Sequence, residues 1–180
     1  LISAFILAAL TSAIDPPTAS AQSDDPFFQG KTINLIVYSD AGSSYDIYAR
    51  VLAKHMPNHI PGKPGMIVKN MVGAGGLTAT RFLYNVAPRD GTTIGTLSRG
   101  IPFEPLLGNT AVEFDPLRFV WLGSMSKETT IYISWHTSKI KTAQDVLNKE
   151  FLVAGTGAGA DSEVVSRALN GILGTKIKLI

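Results

Sequence analysis

Three short loops hold the residues whose types and spacing could do chemistry: Ser39 to Asp46, Gly73 to Gly76, and Gly155 to Ser162. Each follows an apolar run and precedes a segment of helical periodicity, so each should join the carboxyl end of a strand to the first turn of a helix. The first backbone N–H groups of a helix have no partner of their own, and the positive end of the helix dipole lies beside them. Such a terminus attracts anions, and glycine lets a ligand oxygen come close to the amides. Two of these loops facing each other across a cleft could hold both carboxylates of a diacid. A βα turn needs glycine for positive φ in any case, so one loop alone reads equally well as architecture. Three on one sheet system tilt the reading toward ligand capture.

The third loop also fits a nucleotide reading. Gly155-x-Gly157-x-x-Ala160 follows a strand and precedes a helix, as a dinucleotide fingerprint should. The acid that would hold the ribose hydroxyls is expected ~20 residues further on. Thr175-Lys176-Ile177-Lys178 stands there, and no Asp or Glu follows Glu163. Other catalytic patterns are equally thin. His55 and His59 have i,i+4 spacing, but Pro57 breaks the helix between them. His136 stands alone beside Trp135, and Ser43 and Ser44 lack a G-x-S-x-G elbow. Asp46 and Asp161 read as helix caps. The residues call for no enzyme, metal or cofactor; the alternative is an exported α/β enzyme or a nucleotide-binding domain built on the Gly155–Asp161 loop.

The elements that position these loops follow from periodicity. Residues 33–38 form a β-branched run, and Tyr45, Tyr48, Ala49, Leu52, Ala53 and Met56 recur at helical spacing after it. Ser43 with Asp46 three residues on reads as the N-cap of that helix, a capping box with Asp in place of Glu. Residues 66–70 predict a second strand, 77–86 a helix, and 92–97 a third strand. Three βα units in a row predict a parallel sheet with helices on both faces. In such sheets ligands sit at the carboxyl ends of the strands. Residues 100–118, with Pro102, Pro105 and Pro116, should wrap an edge. Residues 119–122 and 130–135 read as strands, Thr142 as the cap of a short helix, and 151–154 as a strand. A helix from about Ser162 to Leu173 should end at Gly174, and 176–180 alternates like a strand.

Composition narrows the class. The chain has 45% hydrophobic residues, a net charge of +2 and no cysteine. That charge is too small to argue for nucleic acid or an anionic membrane surface. Without disulfides, core packing must hold the fold. The apolar run Leu1 to Leu10, followed by Ala19-Ser20-Ala21, reads as the remnant of a secretory signal. It is too short to span a bilayer, which takes ~20 apolar residues. The expectation is an exported protein truncated at both ends: a signal remnant over 1–21, a first lobe over 22–126 and the start of a second over 127–180.

Longer motifs sharpen this. Phe28-Gln29-Gly30-Lys31-Thr32-Ile33 precedes the first strand, and Ala41-Gly42-Ser43-Ser44-Tyr45-Asp46-Ile47-Tyr48-Ala49-Arg50 follows it. Lys69-Asn70-Met71-Val72-Gly73-Ala74-Gly75-Gly76 follows the second strand, and Pro88-Arg89-Asp90-Gly91-Thr92-Thr93 leads into the third. In this order and spacing they resemble the solute-binding proteins of tripartite tricarboxylate transporters, the TctC or Bug-type family. The departures are Ser43 for a second glycine, Lys69 for an acid, an Arg89 insertion and Thr92 for Tyr. In the third loop, Ala160 stands where serine is usual and Glu163 where histidine is.

The resemblance implies a two-lobed, periplasmic-binding-protein-like (type II) α/β fold with parallel-rich sheets. It would close in the periplasm around a small carboxylate and deliver it to integral-membrane transporter subunits. It also implies the ligand-holding positions: Ser43, Ser44 and Asp46 in the first lobe, Thr156, Gly157, Gly159 and Ala160 in the second, and Ser98 as a wall residue.

Overall fold

The computed structural model describes residues 26–155, 157 and 159–180. The signal remnant expected over 1–21 lies outside them. A three-residue 3-10 turn, Pro26–Phe28, leads into β1 (Thr32–Val37), α1 (Ser44–His55), β2 (Gly65–Asn70), α2 (Leu77–Asn85) and β3 (Thr93–Thr96). Further on come α3 (Ala143–Asn148), β4 (Phe151–Val153), α4 (Asp161–Leu173) and β5 (Ile177–Leu179). The first three strands form a parallel sheet in the order β2-β1-β3, and β4 and β5 form a separate parallel pair. The architecture is α/β with parallel sheets.

Strand β1 is central because both of its faces are covered. Ile33, Leu35, Ile36 and Val37 are all buried, the near-continuous apolar run that a parallel strand between two helical layers requires. Leu35 is in register with Val68 and Ile94, and these pack with Ala49, Leu52 and Ala53 of α1. On the opposite face Ile36 is in register with Gly95, where a Cβ would come within 2.3 Å of Leu83 Cδ1 on α2. Gly95 therefore lets α2 lie close against the sheet. Helices cover both faces, as the βαβ pattern predicts.

Residues 101–119 wrap α2. Leu77, Ile101 and Phe114 form a second core, joined by Tyr84, Leu97, Val112 and Phe119. Tyr84, Phe114 and Phe119 make a three-ring cluster with centroids 5.6–6.5 Å apart. Arg81 and Asn85 of α2 donate to the carbonyls of Ala111 and Glu113, so the wrap is tied by backbone acceptors as well.

Around β4 the local rules hold. Thr142 and Asp145 make a reciprocal capping box at α3. Helix α4 ends on Gly174 in the left-handed region, φ 67°. Asn170 then binds both the N–H and the carbonyl of Ile177 and accepts from Thr175, which fixes where β5 starts.

Two expectations fail here. Residues 119–122 and 130–135 are not strands; they run without a ladder partner, and Val120, Leu122, Ile131, Ile133 and Trp135 are exposed. Their composition suits a strand, but a strand exists only when another supplies its hydrogen bonds, and among the described residues none lies beside them. No helix among the described residues is long and apolar enough to cross a membrane.

Candidate functional site

The loops at the carboxyl ends of β1, β2, β3 and β4 meet in one region. Gly76, φ +105°, sits so close to Tyr38 and Ser98 that a Cβ would lie 3.1 Å from the Tyr38 ring and 3.4 Å from Ser98 Cβ. Gly157 and Gly159 come as near to the Gly73–Gly76 loop. A Cβ on Gly157 would lie 3.2 Å from Gly75 N, and one on Gly159 would lie 3.3 Å from the carbonyl oxygens of Ala74 and Gly75. Both have positive φ, so glycine is required there by backbone conformation and by space together.

The first loop is built around Asp46. Ser43 caps α1, its hydroxyl accepting from the Asp46 N–H at 3.3 Å. Asp46 is buried, and its carboxylate accepts from Arg50 Nε, from the Gly42 N–H and from Asn70 Nδ2, at 2.8, 2.8 and 2.9 Å. The Arg50 hydrogen bond, then those of Gly42 and Asn70, hold the carboxyl well below the usual carboxylate range. Asn70 Nδ2 also reaches the Ser39 carbonyl, so the ends of β1 and β2 are pinned together. Ser43 shares a 2.8 Å hydrogen bond with Ser39, and Ser44 is exposed at the first turn of α1. The capping pattern gave Ser43 as the N-cap, but the reciprocal half of the expected box does not form: the Ser43 N–H donates to the Asp40 carbonyl and Asp46 accepts from the Gly42 N–H instead. That Asp46 also binds Asn70 required the sheet register.

The second cluster centres on Asp161. Tyr45 OH donates to its Oδ2 at 3.2 Å, and Arg99 donates to the same oxygen through Nε at 2.9 Å and Nη2 at 2.7 Å. The Gly100 N–H donates to Oδ1 at 3.2 Å. Ser98 Oγ lies 3.1 Å from Oδ1 and 3.0 Å from the Gly159 carbonyl oxygen, so its one proton has two acceptors. Arg99 also pairs with Glu128 through Nη1 at 3.0 Å. The Asp161 hydrogen bond raises the Arg99 guanidinium above its ordinary value. Burial, foremost, pushes the phenols of Tyr38 and Tyr45 upward; their rings meet edge-on at 5.0 Å.

Asp161 was expected to cap α4, and it does not. The N-cap is Ala160, with no side-chain cap, and both oxygens of Asp161 are taken up by the loops after β1 and β3. Of the expected site residues, the structure brings Ser98, Gly157 and Gly159 into this cluster or against the Gly73–Gly76 loop, and Ala160 is buried as the N-cap of α4. Ser43 and Asp46 lie in the neighbouring network, tied to it through Tyr45. Thr156 lies outside the described residues. Sequence reasoning missed Tyr45, Arg99 and Gly100. The one local signal was Arg99 itself, a lone cation directly after the carboxyl end of a strand.

Two further features border the region. A trough of about 800 Å³ runs beside β3, with Tyr45, Tyr48, Thr96, Arg99 and Trp121 among its walls. Helix α4 is anchored by Arg167, which binds the fully buried Glu104 at 2.9 and 3.2 Å, and Glu104 also accepts from Asn109.

No family model matches the chain. It is similar to the "UPF0065 protein in the TAR-I ttuE-ttuC' intergenic region" of Agrobacterium vitis, with 30% identity over 186 aligned positions. The match covers 99% of this chain and 51% of that protein, so the chain spans about half the length of the curated relative it matches.

Proposed function

We propose that this chain is part of a periplasmic solute-binding protein of the TctC or Bug type, which captures a small carboxylate for a tripartite membrane transporter. The observation that carries the reading is convergence: loops from the carboxyl ends of two separate parallel sheets close on one another around Asp161. Ligands of α/β folds sit at such ends, and two sheet units meeting there is the arrangement of a two-lobed receptor. The similarity supports it along nearly the whole chain, since UPF0065 is the family name for Bug/TctC-like proteins. In this reading the three-stranded sheet belongs to the first lobe and β4–α4–β5 to the second. The protein acts by binding rather than by catalysis.

The nucleotide alternative lacks its ribose-binding acid: ~20 residues past the glycine loop stands Thr175-Lys176-Ile177-Lys178, and no Asp or Glu follows Glu163.

The test is a melting screen of the full-length protein against mono-, di- and tricarboxylates, amino acids and NAD. A ligand at 100 times its Kd stabilises the native state by ~2.7 kcal/mol, a shift of a few degrees. A shift with one class of carboxylate and none with NAD is expected. A shift with NAD alone would overturn the reading. Export is checked separately: expressed with its own N-terminal segment, the protein should appear shortened in the periplasmic fraction, and an uncleaved cytoplasmic product would count against it.

A further inference from the structure

We propose that Tyr45, Ser98, Arg99 and the Gly100 N–H form a carboxylate subsite that Asp161 fills from within, so that an acidic solute binds there by displacing the protein's own side chain. The proposal rests on the solute-binding reading and names the groups that would meet the ligand's acid.

The donors all come from one side. Tyr45 belongs to the loop and first turn after β1, and Ser98, Arg99 and Gly100 follow β3; none comes from β4, α4 or β5. Together they present an arginine fork, a phenol, a hydroxyl and a backbone amide to one point, the donor set that planar carboxylate recognition uses. Glu128 holds Arg99 Nη1, which leaves Nε and Nη2 directed at the cradle. The acceptor arrives from 62 residues away in sequence, on the first turn of α4. Solvent reaches the pair, with 44% of the Arg99 and 22% of the Asp161 side chain exposed, so a small anion has access. The charged groups at the cradle are Arg99, Asp161 and Glu128, and with both acids in place the cation is already neutralised. A second carboxylate gains little until Asp161 leaves. Asp161 is thus an internal competitor that sets the affinity of the site and ties α4 to the first sheet while no ligand is bound.

The experiment is titration calorimetry on the full-length protein and its Asp161→Ala and Asp161→Asn variants. Acetate and succinate serve as probes, with acetamide and succinamide as uncharged controls. Asp161→Ala should bind both acids at least tenfold more tightly than the native protein and ignore the amides. Adding Arg99→Met should remove the gain. Should Asp161→Ala fail to fold, Asp161→Asn keeps the shape without the charge and should show a gain of the same sign. If the native protein binds a carboxylate but neither Asp161 variant binds one more tightly, Asp161 is only a fixed tie: the subsite is overturned and the solute-binding reading stands. If no carboxylate shifts the native protein but Asp161→Ala takes up acetate through Arg99, the subsite stands and that reading falls. Binding of neither acid by any form overturns the subsite and leaves the solute-binding reading to the wider carboxylate screen.

Discussion

Asp46 and Asp161 are both acids in the first turn of a helix, and the chain uses them in opposite directions. Asp46 is spent inside its own sheet unit, on Gly42, Arg50 and Asn70, and orders the loop after β1. Asp161 reaches out of its unit to the loops of another. Because its folded state favours the ionised form, Asp46 contributes stability that is present above the unfolded carboxylate value of about 4 and is lost as pH falls through its lower folded value. Asp145, held down by Lys149 and then by the Lys141 N–H, follows the same sign. Asp46→Asn should therefore melt below the native protein at pH 6, with the gap narrowing at pH 3; a gap independent of pH would show that its charge plays no part. Ser43→Ala removes the cap together with the hydrogen bond to Ser39 and should cost ~1–2 kcal/mol by urea denaturation. The cap was legible because its partners lie within four residues. The Asp161 cradle was not, since nothing local to Arg99 announces a partner in a distant helix.

At the scale of elements, close approach decides the packing. Gly100 has an ordinary φ of −73°, so its lack of a side chain matters only for space: a Cβ there would fall 2.6 Å from Val164 Cγ2 on α4. Gly100→Ala should destabilise by ~1–3 kcal/mol through this overlap. Adding Val164→Ala should recover much of the loss, and a double variant no better than the single would place the cause elsewhere. The βα units were readable because strand, loop and helix follow in sequence and each carries its own start and stop signals. Residues 119–122 and 130–135 misled the same reasoning: Val120, Ile131 and Ile133 satisfy β propensity, but propensity cannot supply the neighbouring strand.

For the molecule as a whole, α4 carries the long-range ties to the first sheet unit, through Asp161 at its start and Arg167 less than two turns further on. Glu104 is fully buried and takes up Arg167 and Asn109, so Glu104→Ala leaves a partly buried cation without its acceptor. The expected cost is on the order of 2–3 kcal/mol in chemical denaturation, with amide exchange in α4 rising more than in β1. Uniform exchange increases across both elements would mean that the ion pair does not serve α4 in particular. Parallel sheets and the loop positions could be foreseen from periodicity. Which loops touch could not, because those contacts join residues such as Gly75 and Gly157 across more than one element, and their only sequence mark is a glycine that a turn would need anyway.

The unladdered segment after β3 has a consequence for spectroscopy. Both tryptophans of the chain, Trp121 and Trp135, lie within it, 53% and 72% exposed. Intrinsic indole emission should accordingly be red-shifted and open to quenching by iodide. It will report the environment of residues 121–135 rather than that of the glycine loops. Trp121 shares the trough with Arg99, so it is the indole placed to sense an acid there, whereas a blue shift of both would signal that this segment has found a neighbour.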